Sequence, residues 1–197
     1  MKFKYLLVLL FAALYTNAQN HRLYYTDVDF RENQADTLNI KLDTILLAGV
    51  GSSLERIFLN DLSDKLIKDF ASKKVVASYI YLGKNTAEAK ENYKEINRDN
   101  YKAILFFFPT DTSVFDIRRI TSRIIIPTPV AGAFFRPSRI RTTYEQSFNI
   151  MLFRMDETVT KIWEASVDID CEPGKKNGAK KLGNKILDRF KINKYIE

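Results

Sequence analysis

The chain has one cysteine, Cys171, and one histidine, His21, in 197 residues. A lone cysteine excludes an intramolecular disulfide, so packing must supply the stability. A lone histidine excludes a multi-histidine metal centre and leaves a charge-relay hydrolase without its base. His21 lies close to the N-terminus and reads as a solvated residue. Cys171 has Asp168, Asp170 and Glu172 around it, where cations would be needed to lower a thiol pKa, and it reads as an inert thiol at the end of a strand. No Gly-Lys-Ser or Gly-Lys-Thr follows a glycine-rich turn, which excludes a P-loop. No apolar run approaches the roughly 20 residues that span a bilayer.

At the N-terminus, Lys2 and Lys4 precede an apolar run over residues 5–15, which ends in Thr16, Asn17 and Ala18. These are the charged, apolar and small-residue parts of an export signal, so residues 1–18 are expected to be removed, with Gln19 first in the mature protein. A lipoprotein would need a cysteine at the cut. The expected location is therefore the periplasm or the outside, without lipid. Losing Lys2 and Lys4 from 31 basic residues leaves 29 against 24 acidic ones, a net charge of +5. Outside the cytoplasm, that balance favours an envelope protein or an anionic lipid or glycan surface as partner, and no nucleic acid is expected.

Residues 19–43 mix aromatics with acids and read as an extended lead-in that packs only partly. Residues 44–50 form a short branched apolar run closed by Gly51, as in a buried central strand, and Ser52 or Ser53 suits a helix N-cap. Leu54, Ile57, Phe58, Leu62, Leu66, Ile67 and Phe70 then recur at three- and four-residue steps, which predicts an amphipathic helix. A strand over 75–82, a helix over 85–97 with Asn85 and Glu88 as a capping pair, and a buried strand over 103–108 follow. Residues 147–155 and 161–171 read as a hairpin. In its second strand Trp163, Ala165, Val167 and Ile169 alternate with Glu164, Ser166, Asp168 and Asp170, giving a dry face and a wet one. A last amphipathic helix carries Ala179, Leu182, Ile186, Leu187 and Phe190. The expectation is one α/β (α+β) domain over 44–197. Its mixed sheet has about five strands, the element order is β-α-β-α-β-β-β-α, and the helices pack on the sheet.

This order, the run Tyr144-Glu-Gln-Ser-Phe-Asn-Ile-Met-Leu-Phe153, the strand Lys161-Ile-Trp-Glu-Ala165 and the closing Lys- and Leu-rich helix resemble periplasmic domains related to the TolB N-terminal domain and the curli secretion component. The resemblance spans roughly residues 44–196. It implies an accessory, non-catalytic role in envelope assembly or transport, with no catalytic residues and no cofactor.

Two segments invite chemistry. Gly49, Gly51, Ser52 and Ser53 form a strand-to-helix turn that offers N–H groups and a helix dipole to an anion, although a plain helix N-cap is the stronger explanation of them. Residues 121–144 hold an apolar stretch broken by Pro127, Pro129 and Pro137. Arg118, Arg119 and Arg123 precede the stretch, Arg136, Arg139 and Arg141 follow it, and no acid occurs between Asp116 and Glu145. Prolines at that density exclude a central strand or helix. The expectation is an arm whose tip, Phe134 and Phe135, docks in a partner or lipid interface while Arg123, Arg136, Arg139 and Arg141 meet anions; the bland alternative folds it over its own core. Acid pairs such as Asp27 with Asp29, and Asp168 with Asp170, would support a small periplasmic enzyme using Asp/Glu chemistry only if they faced one cleft. A solvated face accounts for them otherwise.

Overall fold

The computed structural model describes residues 26–36, 40–110, 120–124, 140–156, 158–171 and 175–197. Seven strands build one mixed sheet: β1 (Thr26–Ala35), β2 (Thr44–Val50), β3 (Val76–Gly83), β4 (Ala103–Pro109), β5 (Ile120–Ile124), β6 (Ile140–Met155) and β7 (Val159–Cys171). The spatial order is β1-β7-β6-β4-β2-β3, and β5 pairs with β6 off this path. Helices α1 (Ser53–Ser72), α2 (Thr86–Lys94) and α3 (Asn177–Ile192) and a short 3-10 helix (Arg98–Asn100) complete the described elements.

The β2 run Thr-Ile-Leu-Leu-Ala-Gly-Val is buried: β3 and β4, both parallel to it, satisfy its edges, and the helices cover its two faces. On one face α1 and α3 pack over the larger core, which includes Leu47, Leu62, Phe70, Trp163 and Phe190. On the other face α2 covers a smaller cluster of Leu46, Ala48, Leu82, Ala89, Ile104 and Phe106. Each buried side chain of that size contributes about 1.5–3 kcal/mol relative to exposure. Trp163 is the largest fully buried side chain; it meets Phe190 edge-on at 5.3 Å between centroids and donates its Nε1–H to Glu32 Oε1 at 2.5 Å. The hydroxyl of Tyr195 is shared between the carbonyls of Asp36 (2.9 Å) and Ile162 (3.0 Å), which pins the C-terminus to the sheet.

The mixed α/β architecture matches the sequence reading, with more strands than the five expected. Thr26–Ala35, read as a lead-in, is an edge strand antiparallel to β7, with Val28 in the core. Its alternation of Asp27, Asp29 and Arg31 with Val28 and Phe30 is that of a half-wet strand, and the density of charge concealed it. The 147–155 and 161–171 hairpin is β6–β7, internal to the sheet because β1 lies outside β7. Asn85 caps α2 as expected, accepting from the Glu88 N–H at 2.9 Å. The Glu88 carboxylate reaches back one residue further than in a standard box, to the Lys84 N–H at 2.9 Å. In α1 the periodic Leu54 and Ile57 are exposed, 42% and 54%, and Leu59 is buried in their stead.

Candidate functional site

Strands β3, β2 and β4 are parallel, so their carboxyl ends share one edge of the sheet. From that edge the chain enters α1 on one face and α2 on the other. Such a divergence opens a crevice where ligands of α/β sheets commonly bind. Here the turn into α1 is filled by its own groups. Gly51 and Gly83 take φ of +151° and +131°, values open to glycine, and are joined by a Gly51 N–H to Gly83 carbonyl bond of 3.1 Å. Tyr81 donates its hydroxyl to the Gly51 carbonyl at 2.5 Å, with Arg56 over its ring. Ser52 stands at the N-cap position but makes no side-chain cap. Its hydroxyl turns to the Glu55 carboxylate, which sits in the first turn of the helix. Gly49 lies under Tyr79, whose buried hydroxyl has no hydrogen-bond partner. Ser53 is the first residue of α1. The four turn residues Gly49, Gly51, Ser52 and Ser53 are thus adjacent as predicted, around a carboxylate of the chain itself.

The same edge carries a projecting ribbon. Tyr144 of β6 has Cys171 of β7 as register partner on one side and Ile120 of β5 on the other. β7 ends at Cys171, and β4 ends opposite Phe148, so residues 140–143 pair with β5 alone. At about 3.3 Å per residue, this two-stranded extension reaches roughly 13 Å past Tyr144. Arg123 and Arg141 are direct register partners in it. β5 stops at Ile124 before Pro127 and β6 starts at Ile140 after Pro137, consistent with proline's exclusion from ladders. Phe134, Phe135, Arg136 and Arg139 lie outside the described residues, as does His21.

A third feature was only half visible beforehand. On the face of β1, β7 and β6 that no described helix packs on, Asp27, Asp170 and Glu145 form one cross-strand row and Asp29, Asp168 and Ser147 the next, with Lys181 of α3 reaching Asp27 at 3.4 Å. The two rows line a shallow depression of about 330 Å³. Arg31 binds Asp29 at 2.5 Å and approaches Asp168 to 3.7 Å, and Ser147 donates its hydroxyl to Asp168 at 2.5 Å. The hydrogen bond from Arg31 holds the Asp29 carboxyl below the usual range. A general acid needs the opposite displacement. Among the described residues no group of His, Cys, Asp and Glu is arranged to hold a metal. Cys171 ends β7 beside this depression but on the core face, 2% exposed, and burial with the Asp170 charge pushes its thiol up to about 11. That environment suits an inert thiol.

Among the described residues no helix is long and apolar enough to cross a membrane. No protein-family description and no curated protein matches the chain. Among solved structures it resembles the dodecamer of a PelC variant from Paraburkholderia phytofirmans, at a TM-score of 0.37 and 11% sequence identity, covering 83% of this chain and 95% of that one. The likeness is too slight to bear on fold or function.

Proposed function

We propose that this is a non-enzymatic, exported accessory protein of the cell envelope, which contacts a macromolecular partner or an anionic envelope surface through the arm at 121–144. One observation supports the reading: the β5–β6 register outruns both flanking strands, so Ile124 and Ile140 lie beyond the last rows of β4 and β7. Segment 125–139 between them is apolar, proline-broken and flanked by arginine in a span free of acids, a composition suited to docking. Phe134 and Phe135 act as anchors, and Arg123, Arg136, Arg139 and Arg141 meet phosphate or carboxylate groups.

Changing both phenylalanines to Ser is expected to cost about 2 kcal/mol or more of binding, because aromatic anchors dominate interface energies. It should leave the melting temperature within a few degrees. Changing Arg136, Arg139 and Arg141 to Glu reverses the local field, so association with anionic vesicles or partner weakens most at low salt. Vesicle co-sedimentation and pull-downs from envelope extract, beside thermal melts, test both. Unfolding by the double phenylalanine change would make the segment part of the core and end this reading. Export is tested by intact mass: the native protein should begin at Gln19 and carry no acyl chain.

The enzymatic alternative rests on the carboxylates that meet from three strands in the β1-β7-β6 depression. Glycan hydrolysis abolished by Asp168→Asn would favour it over the accessory reading. For an anion bound at the 49–53 turn, the Glu55 carboxylate stands in the way, and phosphate binding would have to strengthen in Glu55→Gln.

A further inference from the structure

The two outer edges of the sheet are built differently. β1 carries Asp27, Asp29, Arg31 and Glu32 and has an irregular register between Glu32 and Gln34, both of which deter another strand from pairing. β3, at the opposite edge among the described strands, reads Val-Ala-Ser-Tyr-Ile-Tyr-Leu-Gly over Val76–Gly83, has no charge and no proline, and has its one register irregularity only after Tyr81. Exposed edges of that length usually carry such a guard. Val76 is 68% exposed, and the next five residues are partly exposed.

The direction of the free groups is fixed by one bond. The Val76 N–H donates to the Asp43 carbonyl at 2.8 Å, toward β2. Backbone groups alternate along a strand, so Ser78 and Ile80 also address β2, while Ala77, Tyr79 and Tyr81 turn their N–H and C=O groups outward. These three residues are symmetric about Tyr79. We propose that the β3 edge is the interface of a two-fold homodimer in which β3 pairs antiparallel with β3 of a second copy, centred on Tyr79. Tyr79 then faces Tyr79 of the other copy, and Ala77 faces Tyr81 in both directions. All six outward hydrogen-bonding groups of each strand are used. Ser78 faces Ile80 at the non-hydrogen-bonded positions, on the face where Ile80 already packs against the smaller core. Residues directly opposite one another share a face, and no like charges meet, because the strand has none. The nearest flanking charges are Lys74, in the turn before the strand, and Lys84, which is paired with Glu88 at 3.2 Å. A strand with this symmetry is its own complement, and a two-fold contact closes at two copies, which would spare the bare edge from open-ended growth.

Sedimentation of the purified protein is expected to show a dimer at micromolar concentration. Ala77→Pro removes an outward N–H and leaves the β2 ladder alone, so it should raise the dimer dissociation constant about 10-fold or more at an unchanged circular dichroism spectrum. The register is read independently by mixing Ser78→Cys with Ile80→Cys. The mixture should oxidise to a linked dimer, because opposed residues at such positions lie about 4.5 Å apart between Cα atoms, within disulfide range. Either variant alone should link poorly, and the buried Cys171 does not compete. A monomer at 100-fold higher concentration overturns the proposal. So does a dimer that neither variant pair nor proline disturbs, and preferential linking by Ile80→Cys alone overturns the register.

Discussion

The two halves of the sheet meet at β4 and β6 and solve burial differently. In the parallel half, β4, β2 and β3 are covered on both faces, by α1 with α3 and by α2. In the antiparallel half, among the described residues, β1, β7 and β6 are covered by helices on the face toward α1 and α3, and the other face holds the Asp27, Asp29, Glu145, Asp168 and Asp170 rows. The parallel half therefore has little freedom outside its core, while the antiparallel half keeps a face and a projecting ribbon for other uses. Stability should thus depend steeply on side chains inside the shared core and weakly on the open face.

The largest effect belongs to Trp163, which both halves need because α3 clamps it against the sheet. Trp163→Ala removes the edge-on contact with Phe190 and the tilted one with Phe30, and leaves Glu32 short of a donor. A loss of about 4 kcal/mol is expected in denaturant unfolding. Phe106→Ala, in the smaller cluster beneath α2, should cost about 3 kcal/mol, since its ring touches Tyr93, Phe108 and Phe153 at the cluster's rim. If the order is reversed, α2's face is the main support of the sheet and the contrast between the halves is misdrawn.

An intermediate effect tests how tightly the parallel half is closed. A methyl at Gly49 would lie 2.8 Å from Tyr79 Oη and 3.0 Å from Leu59 Cδ1, so Gly49→Ala should destabilise by about 1–3 kcal/mol. Tyr79→Phe deletes a buried hydroxyl without a partner, and should be neutral or stabilising. The double variant should recover part of the Gly49→Ala loss. Simple additivity in urea melts would show that Leu59, and not the hydroxyl, limits the space.

Base should loosen the fold in both halves, since burial also raises the Tyr79 hydroxyl of β3 from 10.0 to about 12. Burial and the Asp170 charge raise the Cys171 thiol from 9.0 to about 11, and burial raises the Tyr195 hydroxyl from 10.0 to about 12. All three groups are held neutral in the folded state. Their contribution is complete below the unfolded values and is lost as pH rises from about 9 to 12. Melting temperature should fall across that window, and Cys171→Ala should remove the part between pH 9 and 11.

The parallel half was the more legible one. Residues 44–50 and 103–108 announce buried strands by unbroken apolar runs, and the three- and four-residue steps announce α1, because local pattern and burial coincide there. β1 was missed because its charges belong to a wet face whose existence depends on pairing with β7, more than a hundred residues away. The limits of β5 at Ile124 and of β6 at Ile140 agree with the prolines that lie beyond them in sequence, because proline acts locally. The acidic rows were not legible, since Asp27, Glu145 and Asp170 become neighbours only through strand register. The bare β3 edge needed the strand order before its lack of charge meant anything.

The smallest expected effect probes the open face. Asp168 lies opposite Asp29 in register, and like charges directly opposed across a ladder repel. Arg31 bridges the two, at 2.5 Å from Asp29 and 3.7 Å from Asp168, but its side chain is 68% exposed, so water and salt screen the pairing. Asp168→Asn keeps an oxygen for the Ser147 hydroxyl and removes one charge of the crowded row. Stability should change by no more than about 0.5 kcal/mol, and any gain should be larger at low salt than at 0.5 M, where the repulsion is already screened. Urea melts at the two salt concentrations measure it. A loss above about 1 kcal/mol, insensitive to salt, would mean that Asp168 is part of the framework, and the open face would then count among the supports of the fold.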